Sequence, residues 1–137
     1  MYSPRISPTS SPSNPLDKLE QLLELGRFQL GWQWLEDNLT AGQINQQIYH
    51  QWLCHLLNTA ADFFEEIGEE HHAIFYWEQL LKYQPNNGSA WHGLGLAYAN
   101  QGNLAKAAQM LTNALKYEPT NAKIRQQLHE IQLRSTP

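Results

Sequence analysis

The chain matches itself when displaced by 34 residues, and this period constrains its fold more than any other feature. Gly68 falls on Gly102, Ala73 on Ala107, Leu81 on Leu115, Lys82 on Lys116, Tyr83 on Tyr117, Pro85 on Pro119 and Asn87 on Asn121. Softer matches pair Leu57 with Trp91, Ala61 with Gly95 and Phe64 with Tyr98. The block 54–87 is therefore followed by a second copy, 88–121. Such a period marks a unit that cannot bury its apolar face alone and must stack on its neighbours.

Each block reads as two helices. Trp91, Leu94, Leu96 and Tyr98 share one helical segment, which the breaker Asn100-Gln101-Gly102-Asn103 ends. Leu104, Ala107, Ala108, Leu111, Ala114 and Leu115 follow, again at helical spacing. Glu118-Pro119-Thr120-Asn121 closes the block, with Pro ending one helix and a polar residue capping the next. Gly95 and Ala107 are small, so the two helices approach closely and a bulky neighbour slots over them.

These residues resemble the tetratricopeptide (TPR) family. Its pattern, W-x2-L-G-x2-Y followed by a small Ala, a large apolar residue, a second Ala and a closing Pro, is matched by Trp91, Leu94, Gly95, Tyr98, Ala107, Leu111, Ala114 and Pro119. Block 54–87 keeps size and polarity more than identity, through Leu57, Ala60, Ala61, Phe64, Gly68, Ala73, Trp77, Leu80 and Pro85. The resemblance covers about half the chain. It implies an all-α fold, a right-handed superhelical stack of antiparallel helix hairpins. It also implies a concave groove, lined by the first helix of each hairpin, in which partner peptides lie.

The flanks complete the organisation. Residues 1–15, MYSPRISPTSSPSNP, are rich in Ser and Pro and are expected to form a disordered tail. Residues 16–39 read as a helical hairpin around Gly26-Arg27, a degenerate repeat or N-terminal cap. Residues 40–87 form the divergent repeat with an extended first helix. Thr40-Ala41-Gly42-Gln43 has the form of a capping box. Ile44, Ile48, Trp52, Leu56, Ala60, Phe63, Phe64 and Ile67 then make a continuous apolar stripe. A helix of about 25 residues, roughly 37 Å long, is expected there. Residues 122–137 supply a terminal capping helix, with Ile124, Leu128 and Ile131 on one face.

Composition narrows the function. Apolar residues make up 42% of the chain and the net charge is −4, which disfavours nucleic acid as a partner. No apolar run is long enough for a transmembrane helix. A cytoplasmic location, or attachment to a membrane through a partner, is the expectation. The single cysteine, Cys54, lies in an apolar run and reads as a small buried side chain. His50 and His55 are five residues apart, and His71 and His72 are adjacent, so neither pair shares a helix face well. With no metal-binding, phosphate-binding or nucleophile motif, no metal, cofactor, catalytic residue or enzymatic activity is expected.

The candidate partner-binding groove comprises His55, Asn58, Asp62, Glu65 and Glu66 of the long helix, Ser89, His92, Leu96 and Asn100 of the next repeat, and Lys123, Gln126 and Arg134 of the terminal helix. Block 54–87 holds six acids and one base, whereas residues 88–137 hold five bases and two acids. A partner of mixed charge would be oriented by that asymmetry. Some relatives hold acidic chaperone tails through a clamp of Lys, Asn and Arg. The aligned positions are Asn58, Asp62, Gly93, Lys123 and Gln127, of which only Lys123 fits, so no acidic chaperone tail is expected here. The leading reading is a protein-interaction module, an adaptor or assembly factor that binds a protein or peptide. A targeting or oligomerisation module for an enzyme on a separate chain, such as a glycosyltransferase or methyltransferase, stays open. So does a homo-oligomer built through Trp32, Trp34 and Trp52.

Overall fold

A computed structural model describes residues 16–135. The expected disordered tail, 1–15, lies outside them. The described residues form seven helices and no strand: α1 (Leu16–Glu24), α2 (Phe28–Thr40), α3 (Gln46–Glu66), α4 (Glu70–Tyr83), α5 (Gly88–Asn100), α6 (Leu104–Tyr117) and α7 (Ala122–Ser135). Each helix packs on the next, and α3 also touches α5 and α1. The result is a stack of antiparallel hairpins closed by α7.

The turns explain the period. Gly68 and Gly102 take φ of +79° and +84° just past the ends of α3 and α5, a left-handed conformation that glycine adopts without a Cβ penalty. The following amide then reaches back across the turn, Glu69 N–H to Phe64 O at 2.8 Å and Asn103 N–H to Tyr98 O at 2.9 Å. The turns between hairpins use the Pro-to-Asn segments instead. Asn87 accepts from Ala90 N–H at 3.0 Å and donates to Gln84 Oε1 at 2.8 Å. Asn121 repeats this, accepting from Ile124 N–H at 3.3 Å and donating to Glu118 Oε1 at 3.0 Å.

The long helix differs from its expectation at both ends. Thr40 is the last residue of α2 and does not cap α3. Asn45 is the cap, its side chain accepting from Ile48 N–H at 2.8 Å. Gly42 causes the difference. It adopts φ +79°, and its own amide and that of Gln43 bond back to Leu39 O and Asn38 O. That geometry terminates α2 and moves the next cap five residues onward, from Thr40 to Asn45. α3 therefore has 21 residues, about 31 Å of helix. Ile44 is buried in the turn rather than on the helix, and Phe63 and Ile67 at the far end are exposed.

One apolar core runs through the stack. Phe28 of α2 packs its ring against Phe63, Phe64 and Tyr76 at centroid distances of 5.6, 5.8 and 6.1 Å, joining the N-terminal hairpin to α3 and α4. Gly31 lets α1, α2 and α3 meet, since a Cβ there would stand 3.1 Å from both Leu19 and Leu56. Gly95 does the same between α5 and α6, against Leu111 and Ala107. Trp32, Trp34 and Trp52 are half-buried against this core. The exposed apolar surface lies elsewhere, at Leu25, Leu30, Phe63 and Ile67 among others.

Candidate peptide groove

α3 and α5 enclose a hollow of about 600 Å³, lined by Asn58, Asp62, Glu65, Glu66, Trp77, Ser89, His92, Gly93 and Leu96. Spacings of three and four on α3 put Asn58, Asp62, Glu65 and Glu66 on one side of that helix. The opposite side is committed to the core through Leu53, Leu56, Leu57 and Ala60.

The floor of the hollow is an indole. Trp77 of α4 is buried, and its Nε1–H donates to Glu65 Oε1 at 3.0 Å. Its ring lies against the backbone of α5 at Gly93, where a Cβ would stand only 2.4 Å from the ring atom Cε2. Gly93 is therefore small because Trp77 occupies the space its side chain would need. The pair also holds α4 and α5 together beneath the groove.

The walls are electrostatically one-sided. Burial pushes the Asp62 carboxyl above its ordinary range, and the neighbouring Glu66 adds to the rise. Glu65 is also raised by burial; the Trp77 hydrogen bond opposes this, and Asp62 and Glu70 reinforce it. Among the described residues the ion pair found joins His72 to Glu69, outside this hollow. The carboxylates on α3 thus face the hollow without a cation of the described chain to neutralise them.

A second hollow, of about 480 Å³, adjoins the first at Leu96. Leu96, Ala99 and Asn100 of α5 line it together with Gln127, Glu130, Ile131, Leu133 and Arg134 of α7. His92 Nε2 is hydrogen-bonded to Gln127 Oε1, joining a wall residue of one hollow to a wall residue of the other.

The structure thus brings together Asn58, Asp62, Glu65, Glu66, Ser89, His92 and Leu96 in the first hollow, and Leu96, Asn100 and Arg134 in the second. His55 lies apart, in a recess with Glu20, Gln51 and Trp52. Lys123 and Gln126 line neither hollow; Gln127 stands where Gln126 was expected, because the rotation of α7 on α5 turns position 127 inward. Of the aligned clamp positions, Asn58, Asp62 and Gly93 meet in the first hollow, apart from Gln127 and Lys123. Trp77 was legible as a core position of its repeat but not as a groove floor. A Trp where the repeat asks for a large apolar residue, facing a Gly on the next helix, was the available signal.

The remaining reactive side chains are structurally engaged. Cys54 is buried, and burial pushes its thiol pKa up, which suppresses the thiolate. His72 stacks on Phe64 with ring centroids 4.7 Å apart, and His50 and His55 sit edge-on to Tyr83 and Trp52. Among the described residues no three His, Cys or carboxylate side chains are grouped as a metal site would require. No described helix is long and apolar enough to cross a membrane.

Comparison with known proteins agrees with this architecture. Residues 88–121, which form α5, α6 and the turn after them, match the tetratricopeptide repeat family. The chain contains a tetratricopeptide repeat. It is similar to an uncharacterized protein, ycf37, of Guillardia theta, at 32% identity over 69 residues. That match takes in 50% of this chain but only 39% of the relative's length. Among solved structures, the C-terminal TPR-containing domain of a Plasmodium falciparum protein named as FK506-binding superposes with a TM-score of 0.62 at 18% identity, over 88% of this chain and 85% of that one. The first TPR of Spaghetti (RPAP3), bound to the HSP90 peptide SRMEEVD, superposes with a TM-score of 0.60 at 15% identity, over 88% of this chain and 89% of that one. Both likenesses establish the TPR fold. TPR domains are in general protein-interaction modules.

Proposed function

We propose that this TPR protein is a non-catalytic interaction module, an adaptor or assembly factor that holds an extended segment of another protein in the groove between α3, α5 and α7. The observation that carries this reading is the pair of adjoining hollows, floored by core residues such as Trp77 and Ile131 and walled by polar and apolar side chains on α3, α5 and α7. An extended peptide suits such a groove, because its side chains enter pockets while its backbone stays solvated. Joining two chains in this way requires no chemistry from the module.

The groove is not suited to an acidic tail. Asp62 stands where an incoming carboxylate would need a neutral or basic group, Gly93 offers no side chain, and Lys123 lies outside both hollows. Peptide SRMEEVD, the ligand in the Spaghetti structure, should not bind at micromolar concentration. Binding of that peptide, abolished by Lys123→Ala, would contradict the assignment.

The groove itself is tested by selecting peptides from a random library on the wild-type protein. Ser89→Trp and Leu96→Trp, made separately and checked for helicity, fill the first hollow and the wall shared by both. Selected peptides should lose at least about tenfold in affinity on each variant, as expected when a contact pocket is filled. Selected peptides that bind both variants as tightly as wild type would place the binding face elsewhere.

A further inference from the structure

We infer that the groove takes a segment carrying a basic side chain and an aliphatic side chain four residues apart, the basic one in the hollow between α3 and α5 and the aliphatic one in the hollow between α5 and α7. This rests on the interaction-module reading and adds the chemistry of the partner.

Two independent features carry the assignment. The first is charge complementarity. Asp62, Glu65 and Glu66 line the α3 side of the first hollow, and no Lys or Arg is among its lining residues. Glu65 has one oxygen engaged by Trp77, which leaves Asp62 and Glu66 to meet an incoming cation. A lysine or arginine there gains from each carboxylate. The second feature is the apolar lining of the other hollow. Leu96, Ala99, Ile131 and Leu133 line it, and Leu133 is 61% exposed. Glu130 and Arg134 on its rim carry opposite charges, so this hollow presents apolar surface without a net charge of its own.

The spacing follows from α5, which contributes to both hollows. Its lining residues are centred near position 92 in the first hollow and near position 98 in the second. Six residues of helix rise about 9 Å. The hollows also lie on opposite sides of α5, about 9 Å apart across it, so their centres are about 13 Å apart. An extended peptide advances about 3.3 Å per residue, so the two side chains are about four residues apart, an even separation that puts both on the same face of the peptide. The adjoining walls, joined by His92 and Gln127, bring both hollows within reach of one short segment.

The test uses synthetic octapeptides in a Ser/Ala background and fluorescence anisotropy against the whole protein. The designed pair carries Lys and Leu four residues apart, in both orders. Controls replace Lys by Glu, replace Leu by Ser, or place Lys and Leu adjacent. One of the designed orders should bind at least about tenfold tighter than each control, the scale expected for one leucine buried or one charge reversed. Asp62→Asn with Glu66→Gln should weaken the designed peptide about fivefold or more and tighten its Glu control, and raised salt should act in the same direction. Leu133→Ser should weaken the designed peptide and not its Ser control. Equal binding of the Lys and Glu peptides, or indifference to both variants, overturns the inference. If library peptides lose binding to Ser89→Trp and Leu96→Trp but lack this pairing, the inference fails while the groove reading stands. If they ignore both variants, the groove reading fails as well.

Discussion

Substituting Gly93 by alanine tests the packing beneath the groove most directly. The new Cβ would stand 2.4, 2.5 and 2.7 Å from three atoms of the Trp77 indole. Ordinary carbon–carbon contact begins near 3.5 Å, so the ring must retreat by roughly 1 Å. It has little room, being only 3% exposed. Overpacking of this kind costs about 1–3 kcal/mol. The retreat also stretches the 3.0 Å Trp77–Glu65 hydrogen bond beyond useful range, a further loss of about 1 kcal/mol. Against these, alanine in a helix interior gains about 1 kcal/mol over glycine. The net expectation is destabilisation by about 1–3 kcal/mol, read from urea unfolding followed by far-UV circular dichroism. The decisive comparison is the same change in a Trp77→Phe background. The shorter ring frees the space, so Gly93→Ala should there be neutral or stabilising, with a coupling of about 2 kcal/mol between the sites. If Gly93→Ala stabilises the wild type, or carries the same penalty in both backgrounds, the account of the groove floor is wrong.

Three further outcomes follow from the geometry. Asn45→Ala should cost about 1 kcal/mol through loss of the α3 cap, and Thr40→Ala less than about 0.5 kcal/mol; the reverse ranking in urea titrations would move the helix start back to Thr40. Phe28→Ala should cost about 3–5 kcal/mol and lower the whole unfolding transition, because Phe28 joins α2 to α3 and α4; early separate melting of α1 and α2 would refute that coupling. Asp62 and Glu65 have raised folded-state pKa values, so their contribution to stability is full below the ordinary carboxylate pKa of about 4 and is lost as pH rises through the folded values. Asp62→Asn, which removes the burial cost of the charged carboxyl and its repulsion with Glu66, should therefore raise the urea midpoint at pH 7, with the gain shrinking towards pH 4; a gain that grows on acidification would reverse the sign of the argument.

The repeat and its hairpins were legible because their signals are local. Gly68 and Gly102 end helices wherever a left-handed residue is needed, Pro85 and Pro119 end the second helix of each block, and apolar spacing orients each helix toward a core. The α3 start was misread for an equally local reason. Thr40-Ala41-Gly42-Gln43 fits a capping box, but Gly42 serves the end of α2, and two overlapping turn signals compete over the same four residues.

The groove was only partly legible. Asn58, Asp62, Glu65 and Glu66 follow from the polar side of one helix, a property of that helix alone. Gln127 in place of Gln126, the separation of His55, and the exclusion of Lys123 depend on how α3, α5 and α7 are rotated against one another. The sequence by itself thus determined the period, the hairpin ends and the buried side of each helix, since these rest on contacts a few residues apart. The tertiary structure decided which polar side chains share a hollow, because that depends on packing between helices far apart in the chain. Trp77 shows the difference. Its apolar character was written in the repeat, but its place as a groove floor needed Gly93 from the next helix and Glu65 from the previous one to meet it.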